Sequence, residues 1–388
     1  MNHVYRLLWS DVTLSFVVVA EHAKSHGKRS GGKTAAVLLA TTLLAGSALA
    51  QQLPLPTGAQ VSSGAASIST SGNVMTVNQG TSKAAINWDS FSIGRGATVN
   101  FVQPSANALV LNRVVGNERS VIDGALNANG QVFLLNSNGV LFNQSARVNT
   151  ADLVASTLAL SDADFNAGNY RFTGNGAAAP VINFGQINMA AGGYAALLGG
   201  QVANQGTITA RLGTVALAAG DQVSLNFNGN SLVNVTVDRA VFAALVENRG
   251  AIVADGGVVV LTAKAVDALM ATVVNNTGEI RARTVANREG KIFLLGGFDG
   301  GAVDVAGTLD AAAPDGGNGG YIDTSGAHVR VADGTVVTTL AAAGTTGMLA
   351  RLPAVHCLAR GFYPNRGCQR SEERRVGKEC RSRWSPYH

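Results

Sequence analysis

The chain has 388 residues and a formal net charge of +5, but residues 51–347 hold 15 Lys plus Arg against 19 Asp plus Glu, a net −4. The positive excess therefore belongs to the two ends, no basic stripe runs through the body, and nucleic-acid binding is excluded as its function. The body is rich in Gly, Ala, Val and Asn and poor in Lys, Glu and Pro, a composition of strands and turns, and it is long enough for one large β domain.

Gly27 to Thr34 (GKRSGGKT) matches the P-loop pattern literally. A P-loop must leave a buried strand and open a helix with a polar face. Here the strand-like run Phe16 to Ala20 ends well before Gly27, and Ala35 to Ala45 is apolar on every side. Basic residues Lys24, Lys28, Arg29 and Lys33, a short apolar core and a small-x-small ending at Ala48 and Ala50 spell a secretory signal, with cleavage expected between Ala50 and Gln51. The apolar run is shorter than the roughly 20 residues a membrane span needs. Before it stands Met1 to Lys28. Its M-N-x-x-Y-R opening and Val19-Ala-Glu-x-Ala-Lys24 run resemble the extended signal region of very large secreted proteins of Gram-negative bacteria.

Ala85 to Thr157 contains the most specific motifs: Ile86-Asn87-Trp88 with Phe91, Val99-Asn100-Phe101 with Gln103-Pro104, Leu111-Asn112-Arg113-Val114, Asn129-Gly130-Gln131-Val132, and Asn136-Ser137-Asn138-Gly139-Val140. In this order they resemble the N-terminal secretion domain of two-partner secretion exoproteins, the haemagglutination-activity domain. The branch of the high-molecular-weight adhesins is nearer than filamentous haemagglutinin. Ser137 stands where that family has Pro. The resemblance spans about residues 1–347.

Residue chemistry offers a structural reading beside each motif. Asn138-Gly139 suits a turn with φ > 0, so Asn136–Val140 is read first as a corner and second as a transporter-recognition element. Trp88 and Phe91 are read as core or cap aromatics. Asn112 and Arg113 are expected to pair with Asp123 or Glu118 inside a capping sheet, and Asn129 and Gly130 belong to the same structural set.

Further along, VINFGQINMAAGGYAALLGGQ from Val181 returns as VANQGTITARLGTVALAAGDQ from Val202. Gly185 to Gly206 and Ile187 to Ile208 are both 21 residues apart, and the pattern recurs at Glu247, Asn276 and Val303. Within each unit short stretches alternate apolar with polar residues, which is strand periodicity. A repeat near 20 residues is one coil of a solenoid. The expected fold is an all-β, right-handed single-stranded parallel β-helix with an N-terminal cap; a β-sandwich is the alternative. Asp152 to Phe172 and Asn226 to Phe242 break the rhythm and are expected to be excursions, the first a small hairpin on the solenoid's side.

The expected organisation is a signal over 1–50, a secretion domain with cap and first coils over 51–180, and further coils over 181–347. Residues 348–369 change style and are expected to be frameshifted: with permitted codons, a one-base shift near Gly347 can supply the Trp-Leu-Asp run of the resembled branch. Residues 370–388 read as the translation of a DNA-sequencing adapter. Cys357, Cys368 and Cys380 all lie in these last stretches and are not read as a metal site.

In residues 51–347 no catalytic set, cofactor motif or metal spacing is seen: His328 is the one histidine and the carboxylates are scattered. The sequons at Asn143, Asn234 and Asn275 are at chance level for an Asn-rich chain. The resemblance implies partners: the inner-membrane translocon, a dedicated outer-membrane barrel transporter with periplasmic recognition domains, and a host-surface receptor met through sequence beyond residue 347. The implied function is an N-terminal secretion domain that folds outside the cell, at the head of an adhesin or haemagglutinin. A contact-dependent toxin of the same pathway and a β-helix polysaccharide-degrading enzyme are the alternatives.

Overall fold

A computed structural model describes residues 54–352 apart from 177–178, 267–270 and 299, together with the backbone of the short strands Tyr5–Ser10, Ser15–Ala20, Val355–Cys357 and Arg374–Arg375. The chain divides into two units, Met1–Ala50 and Gln51–His388. In the first, Tyr5–Ser10 pairs antiparallel with Ser15–Ala20. The P-loop match, the cleavage site at Ala48, Ala50 and Gln51, Cys368, Cys380 and most of the adapter-like tail lie outside the described residues.

The second unit is a solenoid of three parallel faces. Each coil visits them in the same order. Tyr194–Gly199 lies on face A, Gln201–Asn204 on face B and Thr207–Thr209 on face C, and the next coil begins on face A with Thr214–Ala219. Among the described residues face A is a sheet of twelve strands, face B of nine and face C of eleven. The N-terminal end is closed by antiparallel pairs: Gln60–Ser63 against Lys83–Trp88, and the hairpin of Ala66–Ser71 with Val74–Gln79.

The 21-residue spacing becomes a register. Ile187 sits beside Ile208, and the column continues through Ile252, Ile280 and Leu309, all wholly buried. Val181, Val202, Val246, Val274 and Val303 make the matching column on face B. Burying one such side chain is worth about 1.5–3 kcal/mol, and a coil acquires most of that only when its neighbour is in place.

The N-x-G element of the repeat is the corner between faces B and C. Asn183, Asn204, Asn248 and Asn276 are wholly buried there. Each amide donates to the carbonyl of the next: Asn183 Nδ2 to Asn204 Oδ1 at 2.8 Å, Asn204 to Asn248 at 2.8 Å and Asn248 to Asn276 at 2.7 Å. Phe142 and Val305 take the equivalent positions at the two ends, so apolar groups cap the ladder. Two residues on, a glycine column starts at Gly185, and a Cβ on Gly206, Gly250, Gly278 or Gly307 would overlap the carbonyl of the glycine below.

Face A is buried on both sides for much of its length. Its inner rows meet the solenoid core. Its outer row Leu111, Phe133, Ala196 and Ala216 forms a second core with Phe165, Phe172, Val223, Leu225, Leu232 and Val235. Those covering residues come from excursions at the corner between faces A and B. Here the structure corrects two expectations. Asp152–Ser156 is a regular face A strand, so the first excursion starts only at Thr157. The expected hairpin is reduced to one antiparallel bridge, Ala159 with Thr173, which encloses the helix Asp162–Ala167, while the strand Arg171–Thr173 pairs antiparallel with Gln222–Asn228 of the second excursion. Gln222–Asn228 and Ser231–Arg239 form the actual hairpin.

Candidate functional site

The family-motif residues gather in the cap and first coils. Trp88 is wholly buried and its indole N–H needs an acceptor; Asn112 Oδ1 supplies it at 3.0 Å, while Asn112 Nδ2 reaches Phe133 O at 3.3 Å. Asn112 therefore points into the solenoid, where an unpaired amide would cost about 1–3 kcal/mol. Phe91 packs edge-on to Trp88 with centroids 5.4 Å apart and stacks on Phe101 at 6.5 Å.

Arg113 faces outward, and its partner differs from expectation. It does not pair with Asp123 or Glu118. It donates to Asp162 Oδ1 at 2.7 Å, to Leu160 O at 2.8 Å and to Asn87 Oδ1 at 3.1 Å. Asp162 opens the excursion helix, which Ser161 caps by accepting from Asp164 N. At the other end Lys83 Nζ donates to Phe165 O at 2.9 Å and lies 5.4 Å from the Phe165 ring centroid. Burial lowers the Lys83 pKa. Two cations on adjacent face A strands thus hold both ends of one short helix, the amine at the carbonyl end where the helix dipole favours it. We expect Arg113→Met to loosen residues 157–175 while leaving the coils intact, seen as faster amide exchange confined to Leu160–Thr173.

Asn129 copies strand pairing with its side chain: its Oδ1 accepts from Gln103 N at 2.7 Å and its Nδ2 donates to Gln103 O at 2.8 Å. Gly130 leaves room for the Gln103 side chain, which a Cβ would strike. Gln103 Nε2 in turn donates to Gln79 Oε1 at 3.0 Å. No motif or repeat in the sequence points to Lys83, Asp162 or Gln79, because none of them recurs from coil to coil.

Asn136–Val140 is the corner from face A to face B. Asn136 is 1% exposed. Its Nδ2 donates to Glu118 O at 2.9 Å and Ser120 Oγ at 3.0 Å, and its Oδ1 accepts from Asn138 N at 2.9 Å. Gly139 N donates to Asn136 O at 3.1 Å, closing the turn. Only Gly139, at φ 118°, has positive φ; Asn138, expected to share it, does not. Ser137 and Asn138 are exposed, and Asn138 Nδ2 reaches back to Gly116 O at 2.9 Å, while Val140 is buried and begins the face B strand. The motif thus has a buried structural half and a two-residue exposed tip.

Asp152 is the other notable group. It is 5% exposed on the outer side of face A, next to Gln131 and Tyr194 in register, and accepts from Tyr194 N at 2.7 Å. Burial raises its pKa to about 7, against the opposing pull of that hydrogen bond. Burial, and then the charge of Asp152, push the Tyr194 phenol far up; its hydroxyl donates to Gln131 Oε1 at 3.3 Å. Among the described residues no group of three or more His, Cys, Asp or Glu could hold a metal ion.

Residues 52–311 match the TPS secretion domain family, and residues 1–50 match the Extended Signal Peptide of Type V secretion system. Two heme/hemopexin-binding proteins of Haemophilus influenzae are similar, one 36% identical over 264 residues and the other 32% identical over 246. The alignments cover 66% and 58% of this chain but 29% and 26% of the relatives, so the chain spans less than a third of their length. The crystal structure of the HMW1 secretion domain from Haemophilus influenzae superposes with a TM-score of 0.62 at 27% identity, over 80% of this chain and 77% of that one. Leader, cap and solenoid together mark an exoprotein exported through the periplasm and across the outer membrane: the chain belongs to the TPS secretion domain family.

Proposed function

We propose that this domain heads a large adhesin-like exoprotein, that a cognate outer-membrane transporter recognises it in the periplasm, and that it then starts β-helix folding outside the cell. The observation that carries this reading is the closed cap followed by open stacking. The N-terminal end is finished by antiparallel strands, whereas each later coil presents edges that the next coil can use. Folding gains accrue coil by coil, and so would oppose backsliding through a pore. A region beyond this domain would meet a host molecule. The similar heme/hemopexin-binding proteins support heme or hemopexin as the class of target.

Within this reading, Asn136–Val140 acts through the fold and not as a direct docking tag, because Asn136 is buried and fully engaged. Asn136→Ala should cost about 2–3 kcal/mol and slow extracellular accumulation of the protein co-expressed with its transporter. Ala243 is held at φ 56°, and Ala243→Gly should return about 1 kcal/mol. If the motif works through stability, Ala243→Gly partly restores secretion of Asn136→Ala. A secretion defect untouched by that restored stability would instead assign Asn136 to transporter recognition.

A further inference from the structure

The buried columns cannot tell one coil from another. Val246, Val274 and Val303 follow each other on face B, and Ile252, Ile280 and Leu309 on face C. A coil that seats on the wrong predecessor would keep most of its apolar contacts, and misassembly of this kind is a hazard of repetitive folds. The chain also has a way to make the error. After Thr214–Ala219 it leaves the corner between faces A and B, builds a hairpin, and returns to face B in register. If residues 264–301 left from the same corner, Ala302–Val305 could seat on Leu245–Asn248, Thr308–Asp310 on Ala251–Val253 and Tyr321–Ser325 on Val258–Ala263. In the earlier coils the excursions identify their coil, because their strands must meet in one three-stranded side sheet. In the later coils, charges on the outer sides of faces B and C differ from coil to coil.

The coil of residues 245–263 presents two carboxylates, Glu247 on face B and Asp255 at the corner from C to A. Its native successor answers both. Asn275 Nδ2 donates to Glu247 Oε1 at 3.0 Å. Arg281 clasps Asp255 through Nε at 3.1 Å and Nη2 at 2.9 Å, and the backbone N–H of Arg283 donates to Asp255 Oδ1 at 3.1 Å. The coil after that has acid at the matching positions: Asp304 stands in register with Asn275, and Asp310 with Arg281. Seated one place too early, it would set Asp304 beside Glu247, which keeps only the exposed Arg249 as a partner. It would also set Asp310 diagonally beside Asp255, whose donors Arg281 and Arg283 have left with the skipped coil. In its native seat the same coil finds cations. Arg283 Nε donates to Asp310 Oδ2 at 2.7 Å, and Arg330 holds Asp304 through Nε at 2.5 Å and Nη2 at 2.8 Å. The side chains of Asp255 and Asp310 are 14% and 8% exposed, so water screens these charges only in part.

We propose that these charges form a seating code, by which the coil bearing Glu247 and Asp255 accepts its own successor and rejects the coil bearing Asp304 and Asp310. The inference rests on the coil-by-coil stacking of the function proposed above and adds what keeps that stacking in order. A skipped stack lacks one coil and is the less stable form. Once seated, however, it is corrected only by unstacking, so the choice is made kinetically as coils compete for one seat.

Disulfide trapping during refolding tests the code, in the full chain with Cys357, Cys368 and Cys380 replaced by Ser. Neighbouring strands stand about 4.8 Å apart, within a disulfide's reach, whereas two rungs exceed its limit of about 7 Å. Ala251→Cys with Glu279→Cys therefore reports native seating, and Ala251→Cys with Thr308→Cys reports the skip. On dilution from urea, Asp304→Asn with Asp310→Asn should raise the ratio of skip to native disulfide about fivefold over the parent. Glu247→Gln with Asp255→Asn should do the same from the other side of the contact, and keeps the comparison should the first pair fail to fold. Sodium chloride at about 1 M, which shortens the screening length to about 3 Å, should bring the parent towards the variants. Leu309→Ala weakens both seatings alike and should leave the ratio unchanged. A ratio unmoved in both charge variants, or a parent ratio indifferent to salt, would overturn the code. A parent that forms no native disulfide would overturn the stacking itself, and the code with it.

Discussion

Gly250→Ala should unfold or register-shift the middle of the solenoid, with a loss of about 3–5 kcal/mol. The added methyl would overlap the Gly206 carbonyl, and the glycine above, Gly278, rests on Gly250 in the same way. Relief would need the coils to part, which breaks the Asn204–Asn248 and Asn248–Asn276 bonds on the same corner. Asn248→Ala attacks the corner from the other side. It removes the acceptor of Asn204 and the donor to Asn276, leaving two buried polar groups short of a partner at about 1–3 kcal/mol each. The two effects should be strongly non-additive, since either substitution already opens the same contact. Urea unfolding of both single variants and the double variant measures this. A Gly250→Ala protein as stable as the parent would show that the coils are not held at strand spacing here.

The same corner shows what was readable in the amino-acid order and why. Asn-x-Gly recurs at a fixed interval, and in a solenoid a fixed interval becomes a vertical column, so Asn204 and Gly206 announce both the coil length and the stacked ladder. Ile187 over Ile208 follows from the same arithmetic. The excursions obey no interval. Arg171–Thr173 meets Gln222–Asn228 some fifty residues later, and nothing local to either segment names the other. Arg113 stands on a parallel face A strand and not in a capping sheet, and its carboxylate is hidden from the sequence for the same reason. Its partner Asp162 lies in an irregular stretch whose return over face A is set by the apolar row Leu111–Phe133 beneath it. Asp152 is hidden differently: it occupies the first position of an ordinary strand, where a charge usually faces water, yet it is buried beside Tyr194, whose ring packs on Phe227 of the side sheet with centroids 5.1 Å apart.

Asp152 should also make stability depend on pH in the direction opposite to ordinary acid denaturation. Burial raises its carboxyl pKa to about 7 in the folded protein, against an ordinary 3.8 for an Asp carboxyl in water. Between those values the folded chain holds a proton that the unfolded chain has released. The stabilisation is therefore complete below about pH 3.8, falls as pH rises and is gone above about pH 7. The shift corresponds to about 4 kcal/mol across that window. Burial likewise raises the Asp323 pKa, so that carboxyl adds a slope of the same sign. Asp152→Asn keeps an acceptor for Tyr194 N and removes the charge. The variant should gain stability at pH 8 and nearly none at pH 4, so that its stability curve is flatter than the parent's between them. Thermal melts of parent and variant at the two pH values read this directly. Equal melting shifts at pH 4 and pH 8 would mean that the carboxylate is solvated and that the side sheet does not seal it. The physical consequence concerns export. Translocation delivers an unfolded chain whose Asp152 is ionised at neutral pH, so docking of the side sheet requires either proton uptake or the penalty of burying the charge. The coils, whose interior columns carry no titratable group of this kind among the described residues, face no such requirement. Stacking should therefore precede side-sheet closure at neutral pH, and amide protection of Ile187 and Ile208 ahead of Val223 and Val235 during refolding is the order that this energetic difference demands.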